Sequence, residues 1–383
     1  MSQRRFPALR LYREPSSRHA TWLELFFDLV FVFAIAELAH VLHSELSWST
    51  IGSFVGLFIP IWWLWIDYSY YADQFDVEQG IYRLTILGVM LGLVIMALTI
   101  DDVLHGHSER FAIIYSTLRL VIIGLYTQAW RSVAESRELT ARYILSFSVA
   151  FLLWVVSIAV PAPARFWLWA IALAIEISNG PITYATIRSV PTQNSHMDER
   201  FGLFVIIVLG EAMVSVATGV DQTDWQWPTV VAGISGFIMA VSLWWMYFER
   251  ADENTINRAL RGGRLALFRA YIYGYSHLLA FMGIVATGVG VQFAIEAVAG
   301  HSFQFEQQTV LYGGLTLFLS GVTILQWASP GSLPRRVVMA RFLLALLTVA
   351  SLFLSLPPLA AVIGFTVLLV ALNIFDGVPI TVQ

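Results

Sequence analysis

Twelve apolar segments, each close to the roughly 20 residues that cross a bilayer's hydrocarbon core, follow one another along this chain. They lie at 22–43, 49–71, 81–100, 111–130, 142–160, 165–187, 201–220, 228–248, 268–294, 308–327, 337–354 and 357–375. A backbone in hydrocarbon must satisfy its own hydrogen bonds, so long continuous apolar runs dictate helices and exclude the alternating pattern of a β-barrel. Composition agrees: the 383 residues are 58% hydrophobic and 13% charged, with a mean hydropathy of +0.71, outside the balance of soluble domains. The expected fold is an all-α, polytopic integral membrane protein with about 12 transmembrane helices.

Arginine placement sets the expected orientation, because basic residues are retained in the cytoplasm during insertion. All 22 basic residues are Arg and none is Lys, a usage that suggests a high-GC bacterial genome. With the N-terminus inside, Arg4, Arg5, Arg10, Arg13 and Arg18, then Arg83, Arg131, Arg137, Arg142, Arg188 and Arg200, then Arg250, Arg258, Arg261, Arg264, Arg269, Arg335, Arg336 and Arg341 are expected to be cytoplasmic, while the opposite face receives only Arg110 and Arg165. Both termini are therefore expected in the cytoplasm, with the chain in the bacterial inner membrane. The polar start runs into an apolar segment that lacks a small-residue cleavage site, so no removable signal peptide is expected.

An internal repeat organises the expectation. Glu24-Leu-Phe-Phe-Asp28 through Glu37 aligns with Glu199-Arg-Phe-Gly-Leu-Phe through Glu211, and Trp62-Trp63-Leu-Trp65-Ile-Asp67 with Trp244-Trp245-Met-Tyr247-Phe-Glu249. The domains read as 1–21, an Arg-rich cytoplasmic segment; 22–190, a first six-helix repeat; and 191–383, a second. Six helices separate the copies, so both enter from one side as parallel repeats. Thr21-Trp-Leu-Glu24 and Ser195-His-Met-Asp198 have the form of capping boxes at the two starts.

Ionisable groups in hydrocarbon cost at least about 2.5 kcal/mol and so mark candidate functional positions. Asp28, Glu37, His40, Arg119, Glu176, Glu211 and His277 form the candidate ion or substrate pathway. Glu37 and Glu211 are equivalent in the repeat and are expected to carry protonation or ion binding, with Asp28 gating the cytoplasmic side. Arg119 could instead neutralise Asp28, Glu176 or Glu211 as a packing salt bridge, and His277 has the character of a hydrogen-bonded core histidine. A second candidate is an aromatic, acidic pocket of Trp62, Trp63, Asp67, Asp73 and Asp76, with Trp244, Trp245, Glu249 and Asp252 in the other half. Its plainer reading is an aromatic belt at the membrane interface.

With no Cys, disulfides, thiolate nucleophiles and Cys-ligated metals are excluded. No phosphate-binding loop, dinucleotide fingerprint, zinc-helix motif or nucleophile elbow occurs. No cofactor is expected, and no catalytic residue or metal ligand is identified. The expected partners are the lipid bilayer and a small ion or solute, without nucleic acid; the oligomeric state is open.

Thr21-Trp-Leu-Glu-Leu-Phe-Phe-Asp-Leu-Val-Phe-Val-Phe-Ala-Ile-Ala-Glu-Leu-Ala-His40, with Glu199 to Glu211, resembles the bacterial low temperature requirement protein A (LtrA) family over essentially the whole chain. The resemblance implies a plasma-membrane protein associated with growth in the cold, and brings no catalytic assignment. A more distant likeness is to two-repeat lysosomal potassium and proton channels, whose Phe-Ser-Asp motif is replaced here by Phe26-Phe27-Asp28. Together these readings favour a transporter or channel for a small ion or solute, with proton coupling. The alternatives are a membrane-embedded enzyme acting on an isoprenoid or lipid, and a membrane sensor or structural protein.

Overall fold

The computed structural model describes residues 10–11, 20–76, 80–187, 195–250, 256, 264–329 and 333–377. Among them are thirteen α-helices. These are α1 (Trp22–Ser44), α2 (Trp48–Gln74), α3 (Gly80–Ala97), the short α4 (Ile100–Leu104), α5 (Ser108–Ser132), α6 (Arg137–Ala159), α7 (Ala164–Thr186), α8 (Met197–Asp221), α9 (Trp227–Phe248), α10 (Arg264–Val298), α11 (Phe305–Ala328), α12 (Arg335–Ser351) and α13 (Pro358–Gly377). A two-residue antiparallel bridge pairs Arg10 with Asp76 and Leu11 with Phe75.

Each of the twelve expected apolar segments forms one long helix, and ten of these are long and apolar enough to cross a membrane. The other two are α12, with 17 residues, and α7, whose buried side holds Arg165, Glu176, Asn179 and Thr183. Proline at position 60 lies within α2 and proline at 181 within α7.

Packing divides the chain into two compact units. The first contains Met1–Glu37, Ile59–Arg200 and Glu253–Phe268; the second contains Leu38–Phe58, Phe201–Asp252 and Arg269–Gln383. The division runs along helices: α1, α2, α8 and α10 each contribute residues to both units.

In the first unit, α5, α6 and α7 pack in sequence and α3 lies on α5. Aromatic rings fill their interior: Trp154 is 4.0 Å from Tyr115 and 4.8 Å from Trp169, centroid to centroid. The α2 aromatics are also interior, correcting the interfacial-belt reading. Trp62 and Trp63 are 2% and 4% exposed, and Trp65, Tyr68 and Tyr71 are buried, whereas Trp244 and Trp245 on α9 are 45% and 47% exposed. The same aromatic-pair pattern thus faces protein in one unit and the surface in the other.

In the second unit, α10 is buried along most of its length. Its glycines permit this. A Cβ on Gly283 would collide with the Phe318 backbone, and one on Gly290 with that of Leu311, so α10 and α11 pack backbone against backbone. Helices α9 and α13 are held in register by two side-chain bonds to main chain. Thr366 Oγ1 donates to the Ser235 carbonyl at 3.0 Å, and Asn373 Nδ2 to that of Ser242 at 2.9 Å, two turns further along both helices.

The first capping box forms as expected: the Thr21 amide donates to Glu24 at 2.7 Å and the Glu24 amide to Thr21 Oγ1 at 3.3 Å. At the second start, Ser195 Oγ accepts from the Met197 amide at 3.2 Å, and Asp198 Oδ2 accepts from the distant Ile256 amide at 3.1 Å.

Candidate functional site

Helical spacing concentrates the buried charges of the first unit. Residues four apart share a helix face, and both Glu24/Asp28 on α1 and His196/Arg200 at the start of α8 have that spacing. The two pairs meet rung for rung. His196 Nε2 lies 3.4 Å from Glu24 Oε1, and Arg200 donates through Nη2 to Asp28 Oδ1 and through Nε to Oδ2 at 3.3 Å. Helix α2 joins both rungs: Trp65 Nε1 donates to Asp28 Oδ1 at 2.7 Å, and Asp73 Oδ1 accepts the His196 amide at 2.9 Å while standing 2.6 Å from its ring Nδ1.

These contacts of the His196 ring are ion pairs by distance but lie off hydrogen-bond directions. Burial opposes a charged ring, but the Asp73 and Glu24 carboxylates outweigh it and hold the His196 pKa above its ordinary value. In the sequence Arg200 has the place of a topology signal, and His196 is not among the candidate pathway residues. The matched four-residue spacings were the available clue.

A second group centres on Arg119 of α5, fully buried. Its Nη1 donates to Asp67 Oδ2 of α2, its Nη2 donates to Tyr115 Oη at 2.6 Å, and Nη2 lies 2.9 Å from Glu176 Oε2 of α7. The guanidinium also sits 4.9 Å from the Tyr115 ring centroid and 5.5 Å from that of Phe147. Tyr68 and Tyr71 fix α2 against α5 by donating to the carbonyls of Leu118 and Leu125 at 2.7 and 3.2 Å. Arg119 therefore pairs with Glu176, one of the three acids expected for it, and with Asp67; Asp28 belongs to Arg200. Two carboxylates share one guanidinium, and among the described residues neither Glu176 oxygen accepts a hydrogen bond.

The second unit is arranged differently. Arg341 of α12 donates twice to Asp376 Oδ2 of α13, at 3.1 and 2.6 Å, and once to Gln326 Oε1 of α11 at 2.8 Å. Gln326 Nε2 in turn donates to the Met246 carbonyl of α9 at 2.8 Å. His277 is a core histidine: a carbonyl only accepts, so Nδ1 carries the proton given to Tyr273 O at 2.8 Å and Nε2 accepts from Tyr247 Oη at 3.0 Å. Its ring stacks on Phe201, centroids 4.0 Å apart. His43 Nε2 meets Glu296 Oε1 at 2.8 Å.

The remaining expected residues are dispersed. Glu37 and Glu211 are half-buried, one in each unit, and His40 is exposed. Among the described residues none of the three makes a side-chain ion pair or hydrogen bond. Of the aromatic, acidic set, Asp67 is bound to Arg119 and Asp73 to His196. Glu249 is exposed and accepts from Trp245 Nε1 at 3.0 Å. The side chain of Asp76, and Asp252 altogether, lie outside the described residues. Among the described residues no three His, Asp or Glu side chains are grouped to hold a metal ion.

The sequence profile of the bacterial low temperature requirement A protein family matches residues 19–374 of the chain. An uncharacterized protein of Rhizobium meliloti (strain 1021) is similar, 26% identical over 332 residues that cover 82% of this chain and 79% of the relative. No solved structure matches the chain.

Proposed function

The chain belongs to the bacterial low temperature requirement A protein family, and on that premise we propose that it moves a small ion or solute across the bacterial inner membrane, coupled to protons. One observation carries the reading: Asp67 and Glu176 share the single cation Arg119 in a fully buried site. Buried ion pairs that only hold helices together are best balanced, because uncompensated charge in low dielectric costs several kcal/mol. Two carboxylates around one guanidinium leave one negative charge over, and a proton or small cation completes the site. A group that must gain and lose a cation in this way suits transport.

Glu37 and Glu211, half-buried and outside these networks, are proposed as further stations on the route, one in each of two parallel six-helix repeats with both termini in the cytoplasm. Asp28, tied to Arg200 and Trp65, is proposed as the gate on the cytoplasmic side. The test is flux into proteoliposomes under separate Na⁺, K⁺ and proton gradients. Wild type is expected to carry flux that requires the proton gradient, with Glu176→Gln abolishing it and Glu37→Gln and Glu211→Gln each reducing it. Absence of flux in wild type under all three gradients overturns the proposal.

A further inference from the structure

Helices α2 and α7 are joined at two levels. At the first, Arg119 bridges Asp67 to Glu176; at the second, Gln74 Nε2 donates to Tyr184 Oη at 3.1 Å. The levels are seven residues apart on α2 and eight on α7, about 10–12 Å along either axis at 1.5 Å per residue. The two helices therefore run in the same direction, and the second contact lies at their C-terminal ends. Between the levels, α7 presents Asn179 and Thr183 on the face of Glu176, at the three- and seven-residue spacings that keep side chains in line.

The polar atoms along this line are buried but incompletely bonded. Thr183 Oγ1 donates to Asn179 Oδ1 at 3.1 Å. Among the described residues, Asn179 Nδ2, Gln74 Oε1 and both Glu176 oxygens have no hydrogen-bond partner. Asn179 and Thr183 are 9% and 1% exposed, and Glu176 is 1% exposed. An unpaired polar group away from solvent costs about 1–3 kcal/mol, more for a charged one, and proteins avoid leaving several together unless water bonds them. Both kinds of group are open to water here: the Asn179 amide nitrogen as a donor, and the Glu176 carboxylate, the lone pairs of the Thr183 hydroxyl and the Gln74 amide oxygen as acceptors. Water molecules could bond to each of these in turn.

We infer that α2 and α7 enclose a hydrated path, running from their C-terminal ends to Glu176, along which protons reach the Asp67–Arg119–Glu176 site. A hydronium entering at the Gln74–Tyr184 end passes its excess proton along the water file. The proton adds to one carboxylate oxygen of the site, giving a carboxylic acid and leaving neutral water behind. With the orientation expected from the arginines, the path opens to the cytoplasm. The inference deepens the transport reading and rests on it for the use made of the proton; the path itself rests on the polar file.

The absence of Cys from the chain gives a clean test. Single cysteines are placed at Asn179→Cys and Thr183→Cys on the file, and at Ala172→Cys, as buried as Thr183 to within 1% and one turn beyond Glu176 on the same face. The full-length variants in lipid vesicles, with helicity and size checked against wild type, are treated with 2-aminoethyl methanethiosulfonate. Cysteines at 179 and 183 are expected to react at least ten times faster than one at 172. Thr183→Cys exchanges a hydroxyl for a thiol with the loss of one methyl, and keeps the test alive if Asn179→Cys does not fold. Equal rates at all three positions overturn the path, even where flux is normal. Fast modification at 179 and 183 without flux overturns transport and leaves the path standing.

Discussion

Two buried arginines, one in each unit, show how similar side chains serve different ends. Arg341 meets one carboxylate and one amide, Asp376 and Gln326, and the amide's own nitrogen is spent on a backbone carbonyl. Within the pair charge is balanced and the guanidinium is held by three bonds, with Arg250 beside it donating to the main-chain carbonyl of Asp376 at 2.9 Å. Arg119 meets two carboxylates on different helices, and one of them accepts no hydrogen bond at either oxygen. The second unit's pair has the stoichiometry of a structural tie, while the first unit's trio is short of one positive charge. The polar file that leads away from Glu176 adds to the contrast, although Asn373 and Asp376 also keep one unpaired oxygen each.

The comparison can be broken at several points. Arg119→Met has the largest expected effect, since it strands two buried carboxylates: a loss of roughly 3–5 kcal/mol or more, read as a collapse of the thermal transition in detergent. Adding Asp67→Asn and Glu176→Gln should recover most of it; no recovery would mean that packing rather than charge was lost. Asp376→Asn comes next, leaving the Arg341 cation buried without its counter-charge at a cost of about 3 kcal/mol.

A pH series probes the His196 rung, where Glu24 of α1 and Asp73 of α2 face the ring. Its pKa lies above the ordinary 6.5. The stability it contributes is therefore complete below that value and lost as pH rises through the raised pKa. Thermal stability should fall over that interval in wild type, and the fall should vanish in His196→Gln; an unchanged profile would remove His196 from the account. The smallest effect expected is that of Glu176→Gln on stability, within about 1 kcal/mol, because it removes the surplus charge rather than a needed one. A cost as large as that of Asp376→Asn would erase the distinction between the two arginines.

Much of the helical layout was legible in the sequence, because an apolar run of bilayer length permits little else; all twelve segments recur as helices. The buried charges were legible as residues but not as pairs. Arg119 and Glu176 stood out by depth, yet nothing local tells which acid a guanidinium will meet across helices. Arg200 was misread because it lies near a helix start, where a basic residue usually faces water or headgroups. Its four-residue spacing from His196, matched by Glu24 and Asp28, is visible only once two distant helices are set side by side. Glu37 and Glu211 drew attention through the aligned repeat, and similarity of sequence position carries no information about ion pairing.

The central claim, that the Arg119 site takes up a proton to complete its charge, is tested most directly by infrared spectroscopy of the purified protein in lipid. The account predicts the carbonyl stretch of a protonated carboxyl group in wild type at neutral pH, lost in Glu176→Gln and retained in Glu37→Gln. A wild-type spectrum without that band, or a band that survives Glu176→Gln unchanged, would contradict it.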